Sequence, residues 1–188
     1  MATVTVTPAT FELINFDAGE VSRVAEEVAD KVGVGGDVAI EVNVDEAEML
    51  ASSTTRVEDG RIVVDVSGGA FESLRKAREF DETRARTTLG LALMRARDRL
   101  DPSFGDPPPD DELAVDLESA WSTYIEGRLS RLGVIEGRPQ RRIYHFRVRH
   151  GFSDRTDAVF NRLWSGDGLT WQAIVEASRE AEGDAVPA

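Results

Sequence analysis

One stretch of six residues, LGLALM at Leu89–Met94, is apolar on every side of the helix that contains it, and it constrains the fold more than any other part of the chain. A surface helix needs a single apolar stripe, whereas a helix that is apolar all round has to lie in the middle of a core. The helical pattern runs from about Glu72 or Asp81 to Leu100, where Asp101-Pro102 stops it, because the residue before a proline is pushed towards extended backbone. The remaining elements must wrap around this helix.

The N-terminal part supplies them. After a polar, Thr-rich start, FELINF (Phe11–Phe16) reads as a short strand. DAGEVSRVAEEVADKVG follows as a helix over 17–32. Asp17 and Glu20 form a capping-box pair, Val21, Val24, Ala25, Val28 and Val32 make one apolar stripe, and Gly33 supplies the stop. In DVAIEVNVD, Val38, Ile40, Val42 and Val44 alternate with polar residues, the pattern of a half-buried strand. TTRVEDGRIVVDVSGG reads as a hairpin turning at Asp59-Gly60, a pair that accepts positive φ.

The C-terminal part is richer in helices. DPSFGDPPPDD is a stiff loop, and a helix capped by Asp110 or Asp111 then runs to Leu132, with Leu113, Leu117, Ala120, Trp121, Tyr124 and Leu132 inward. RRIYHFRVRHG alternates again and reads as a strand, with Tyr144, Phe146 and Val148 on one face and Ile143, His145, Arg147 and Arg149 on the other. Two short helices, about Asp154–Trp164 and Thr170–Ala181, end the pattern before an acidic tail that reads as disordered.

Strands come early, helices late, and no regular strand–helix alternation joins them, so the expected class is α+β. A small mixed sheet is expected against the helices over 17–32, 81–100 and 111–132. The expected divisions are a core domain over 1–135, a strand-and-helix extension over 136–182 packed on it, and a disordered tail over 183–188.

Charge narrows the function. The 188 residues carry 35 acids against 22 Lys and Arg, a formal net charge of −13, which opposes sequence-blind attraction to nucleic acid or anionic lipid. That charge is uneven: residues 1–60 hold 13 acids and 3 bases, whereas residues 141–162 hold 2 acids and 6 bases. With no Cys, thiolate metal sites, iron–sulfur clusters and cysteine nucleophiles are excluded. No apolar run approaches the ~18–20 residues that span a bilayer. MATVTVTPATFELINF has neither the basic region nor the apolar core of a signal peptide, so a cytoplasmic location is expected.

Motifs of catalysis are scarce. A zinc helix needs two imidazoles one turn apart, but His145 and His150 are five apart and, on a strand, face opposite ways. No Ser sits in a Gly-x-Ser-x-Gly elbow. Gly68 and Gly69 follow a strand and could aim N–H groups at an anion, although a plain strand-to-helix turn fits them better. VDEAE (Val44–Glu48) lacks the spacing of a calcium loop and reads as a solvated strand end. Glu112 and Asp116, one turn apart on the expected helix, could form an acid pair.

The basic segment is the most distinctive feature. Arg141, Arg142, Arg147, Arg149, Arg155 and Arg162 gather positive charge with His145 on an acidic molecule, interleaved with Tyr144 and Phe146. Such arginines bind anions or stack on bases, but they equally neutralise acids of their own chain or cover the core with their stems. Trp164 and Trp171 could anchor a partner or simply pack.

In element order, a helix, a strand, a hairpin, a buried helix near Asp81 and the acidic helix of ESAWSTYIEGRLSRLG, residues 11–132 resemble minimal zincin-like metallopeptidases. The family's His-Glu-x-x-His would align with LGLAL. There Leu89 and Leu93 stand in place of the histidines and Gly90 in place of the Glu, so the resemblance implies a scaffold without its metal site and carries over no catalytic residue. The expected role is therefore a non-catalytic binding or scaffold domain without cofactor or metal. Arg147, Arg149, Arg155, His145 and Trp164 are its expected binding residues, and another protein or a second copy its partner. Two alternatives stay open: a carboxylate-dependent, Mg-type hydrolase using Glu112 and Asp116, and an anion or nucleic-acid binder using the 141–149 segment.

Overall fold

Asp17 starts the first helix, α1 (Ala18–Val32), by accepting the Glu20 N–H on Oδ1 at 2.9 Å, and Gly33 ends it in left-handed backbone at φ 77°. The chain is described here by a computed structural model over residues 2–36 and 38–183, and it divides into two compact units, Met1–Leu100 and Asp101–Ala188.

In the first unit, strands β1 (Thr3–Thr7), β2 (Ala39–Asp45), β3 (Ser53–Glu58) and β4 (Arg61–Ser67) form one sheet in the order β1-β2-β4-β3. Its β1–β2 and β2–β4 pairs are parallel and its β3–β4 pair antiparallel, so the sheet is mixed. Parallel neighbours need a crossover, which α1 provides between β1 and β2. The β3–β4 hairpin turns on Asp59 and Gly60, both at positive φ (49° and 77°). One sheet face places Ile40, Val42, Val44, Ile62, Val64 and Val66 in the core, where α1 and α3 (Glu82–Leu100) pack on the strands. Leu89, Leu93 and Met94 of α3 are fully buried, as its all-round apolar pattern requires. The opposite face is polar and satisfies itself through Arg61–Glu41, Asn43–Asp65 and Arg56–Asp65. A short helix, α2 (Gly68–Phe71), leads from β4 towards α3.

Two expectations change here. The N-terminal strand is Thr3–Thr7, not Phe11–Phe16. Val4 and Val6 are its inward positions, and the Thr-rich outer face hid a clean alternation. Phe11–Phe16 instead works as an aromatic plug. Phe16 meets Phe11 at 5.9 Å and Phe80 at 5.4 Å, while the Glu12 and Leu13 N–H groups donate to the Glu46 carboxylate rather than to a neighbouring strand.

The second unit is helical: a 3-10 turn at Asp110–Glu112, then α4 (Val115–Arg131), α5 (Pro139–His150), α6 (Asp154–Ser165) and α7 (Trp171–Glu182). Ser153 and Thr170 cap α6 and α7 by accepting the N–H groups of Thr156 and Ala173. α4 packs on α5, α6 and α7 through Ala120, Trp121, Tyr124, Ile125 and Leu129, so it shares its core with the C-terminal helices. The division between units accordingly lies at Leu100/Asp101, whereas the sequence pattern placed one near 135. Leu132, expected inward, is exposed just past the helix. Seven helices and one mixed sheet among the described residues make the fold α+β. Residues 184–188 of the expected disordered tail lie outside the described residues.

Candidate functional site

The basic segment is α5, a helix and not the expected strand. Pro139 at its start has a fixed φ suited to a first turn and lacks only an N–H that would find no helical partner. Its inward positions are Phe146 and His150, flanked by half-buried Arg142, Ile143 and Arg147, which is helical spacing. Strict alternation concealed that period because three of these five residues are polar. Phe146 is therefore buried, while Tyr144 and Val148, assigned to the same face as Phe146, are 58 % and 52 % exposed.

This geometry separates the arginines into two groups. Arg142 points inward: it donates to the Ser119 carbonyl at 2.8 Å, to Thr123 Oγ1 at 3.1 Å and to Glu126 Oε1 at 3.1 Å. Burial pushes the Glu126 carboxyl above its ordinary value, against the opposing charges of Arg142, Arg141 and His145. Arg147 grips Asp157 bidentately, at 2.7 and 2.5 Å, and that hydrogen bonding holds the Asp157 carboxyl below its usual range. Arg162 does the same for Glu180. These three arginines neutralise acids of their own unit.

The other group faces outward. Arg141, His145 and Arg149 are exposed and recur every fourth residue, so they form one row along α5. Beside it Tyr144 and Val148 lie one turn apart, and Phe152, past the helix end at Gly151 and 68 % exposed, completes an apolar patch with them. The Tyr144 ring meets Phe152 at 6.3 Å and His145 at 6.0 Å, both edge-on. α5 contains no acidic residue. Val148 and Phe152 were missed from the sequence because a strand reading groups Tyr144 and Val148 with Phe146 as one inward face, whereas on a helix 144 and 148 turn away from 146.

The structure does not gather the five expected binding residues into one patch. His145 and Arg149 lie on the basic row, and Arg147 is engaged by Asp157. Trp164 is half-buried, stacked on Phe160 at 5.8 Å, and its carbonyl accepts from Arg131. Arg155 lines a separate groove at the start of α6 with His150, Ser153 and Glu182.

Behind the exposed face, His150 closes α5 against α7. Its ring stacks on Phe146 at 4.1 Å, and Nδ1 lies 3.1 Å from the Phe146 carbonyl. A carbonyl can only accept, so Nδ1 carries a proton, and in the neutral ring Nε2 accepts from Ser178 Oγ at 2.9 Å. Ser178 Oγ also lies 3.4 Å from Asp116 Oδ2. Burial pushes the imidazole pKa down, opposed by the Phe146 carbonyl and the Asp116 charge and reinforced by Arg142. The Glu182 carboxyl is raised, first by burial and then by its hydrogen bond to Asp116. Ser178 is fully buried, so this Ser–His pair offers no nucleophile to a substrate.

The other candidates are bound up in local structure. Glu112 sits in the 3-10 turn and Asp116 in the first turn of α4, with extended backbone at Leu113 and Ala114 between them, so the one-turn spacing is lost. Asp45, Glu46 and Glu48 each accept nearby backbone N–H groups. Gly69 donates its N–H to the Glu48 carbonyl, and a Cβ there would collide with the Met49 backbone. Among the described residues no group of three or more His, Asp or Glu side chains is arranged to hold a metal ion, and no helix is long and apolar enough to cross a membrane. No family model, curated protein or solved structure matches the chain.

Proposed function

We propose that this chain is a non-catalytic binding module and that the outward face of α5 is its interaction surface. The observation that carries this reading is the basic row Arg141–His145–Arg149 beside the apolar patch of Tyr144, Val148 and Phe152, left exposed while the neighbouring arginines are spent on internal acids. Large apolar side chains grouped on a soluble surface beside arginine are the composition of protein interfaces. A protein partner inside the cytoplasm belongs to the same reading. So does a zincin-like scaffold whose central helix has become core, for which the full burial of Leu89 and Leu93 is the support.

Site-directed photo-crosslinking in the producing cells tests the surface. A crosslinking side chain at Val148 should give a discrete adduct that disappears in Arg141→Glu/Arg149→Glu, while one at exposed Leu50 should not. Equal adducts at both positions, or indifference to the double substitution, would refute the reading.

A further inference from the structure

Resting on the α5 reading, we infer that the occupant of this face is an acidic amphipathic helix from a different chain. The basic row and the Tyr144–Val148 pair repeat every four residues, the spacing of the ridges that another helix receives between its own side chains. The basic row spans eight residues of helix, about 12 Å or a little over two turns. That suits a partner with apolar anchors at i, i+3/i+4 and i+7 and carboxylates flanking them. Arg141 and Arg149 at its ends are suited to bidentate pairing with carboxylates. Glu126, an acid close enough to feel Arg141 and His145, already accepts from Arg142.

Charge and shape together argue against the other occupants. Two copies paired through α5 would bring Arg141 and Arg149 against the same arginines, like charge on like. Nor does another described helix offer an exposed apolar patch: beyond α5 and Phe152, the exposed large apolar side chains are single residues at helix ends (Leu100, Val115, Leu132) or in loops (Leu13, Met49, Leu50, Leu74). A nucleic acid would bring a charge about every 1.7 Å to a chain of net −13 whose row offers it two arginines, Arg141 and Arg149.

The test uses the full chain and fluorescence anisotropy with defined probes. One is a helical peptide of about 16 residues with Leu along one face and Glu along its flanks. A second carries Lys in place of Glu, and a third is a short oligothymidylate. The Glu peptide should bind, with affinity falling as salt is raised. Arg141→Glu/Arg149→Glu and Tyr144→Ala/Phe152→Ala should each weaken it about tenfold or more. All four side chains are exposed, and circular dichroism confirms that the variants stay folded. Equal binding of the Glu and Lys peptides would overturn the inference, as would binding of the oligonucleotide alone. A concentration-dependent dimer in sedimentation, lost in the same variants, would replace the partner by a second copy. If the Glu peptide fails while the Val148 crosslink persists, the partner class is wrong and the binding module stands; failure of both removes both.

Discussion

His150 Nε2 lies 2.9 Å from Ser178 Oγ, so the last residue of α5 is bonded to α7 through an imidazole whose burial favours the neutral form. The stability of the second unit is thereby tied to pH. The folded pKa is depressed below the ordinary value of 6.5, so the unfolded chain binds more protons as pH falls past that value. The His150 contribution is full above pH 6.5 and is lost as pH drops from there towards the folded pKa. Glu182 acts oppositely: its raised pKa stabilises at low pH and is lost as pH rises through the folded value. Thermal unfolding from pH 8 down to pH 5.5 should show a falling midpoint, flattened in His150→Gln. An unchanged pH slope in that variant would dismiss the role given to His150.

Arg142 and Glu126 form the most enclosed of the ion pairs described, each side chain about a fifth exposed or less (15 % and 20 %). Arg142→Met should destabilise by about 2–3 kcal/mol in denaturant titration, since it strands the desolvated Glu126 carboxylate. Adding Glu126→Gln should recover part of the loss, and a double variant no better than the single would show the pair to be uncoupled.

At Gly127 a Cβ would strike the Trp164 carbonyl where α4 and α6 cross. Gly127→Ala should cost about 1–3 kcal/mol through forced separation of the helices. Gly35→Ala, with open space around it, is the control and should be close to neutral.

Asp17→Ala removes the side-chain acceptor for the Glu20 N–H and should cost about 1 kcal/mol. Asp17→Asn should restore most of it, which a simple loss of charge would not predict.

Much of the first unit was legible because its periods are unmixed. The α1 stripe, the β2 alternation and the Asp59-Gly60 turn each carry a local signal that the packed structure leaves intact. β1 escaped because threonine disguised a two-residue period. The α5 site was half legible: its charge stood out, but its backbone did not. Arg142, Arg147 and His150 are polar residues turned inward to partners on α4, α6 and α7, and no pattern of apolar residues can announce a polar contact made ten or more positions away. The binding residues were named from composition, and it was the helix that divided them into spent and exposed arginines.

The sharing of one core by α4 and the three helices after it has a consequence for inheritance. Trp121 lies between Phe104 and Trp171, ring centroids 5.7 and 5.3 Å away, so residues far apart in the gene complete one aromatic stack. A coding sequence cut near position 135 would deliver α4 with that stack bare, a product for quality control to clear. Recombination that respects folding must therefore carry the whole segment from Asp101 onwards, and the α5 face travels with it as a single heritable cassette.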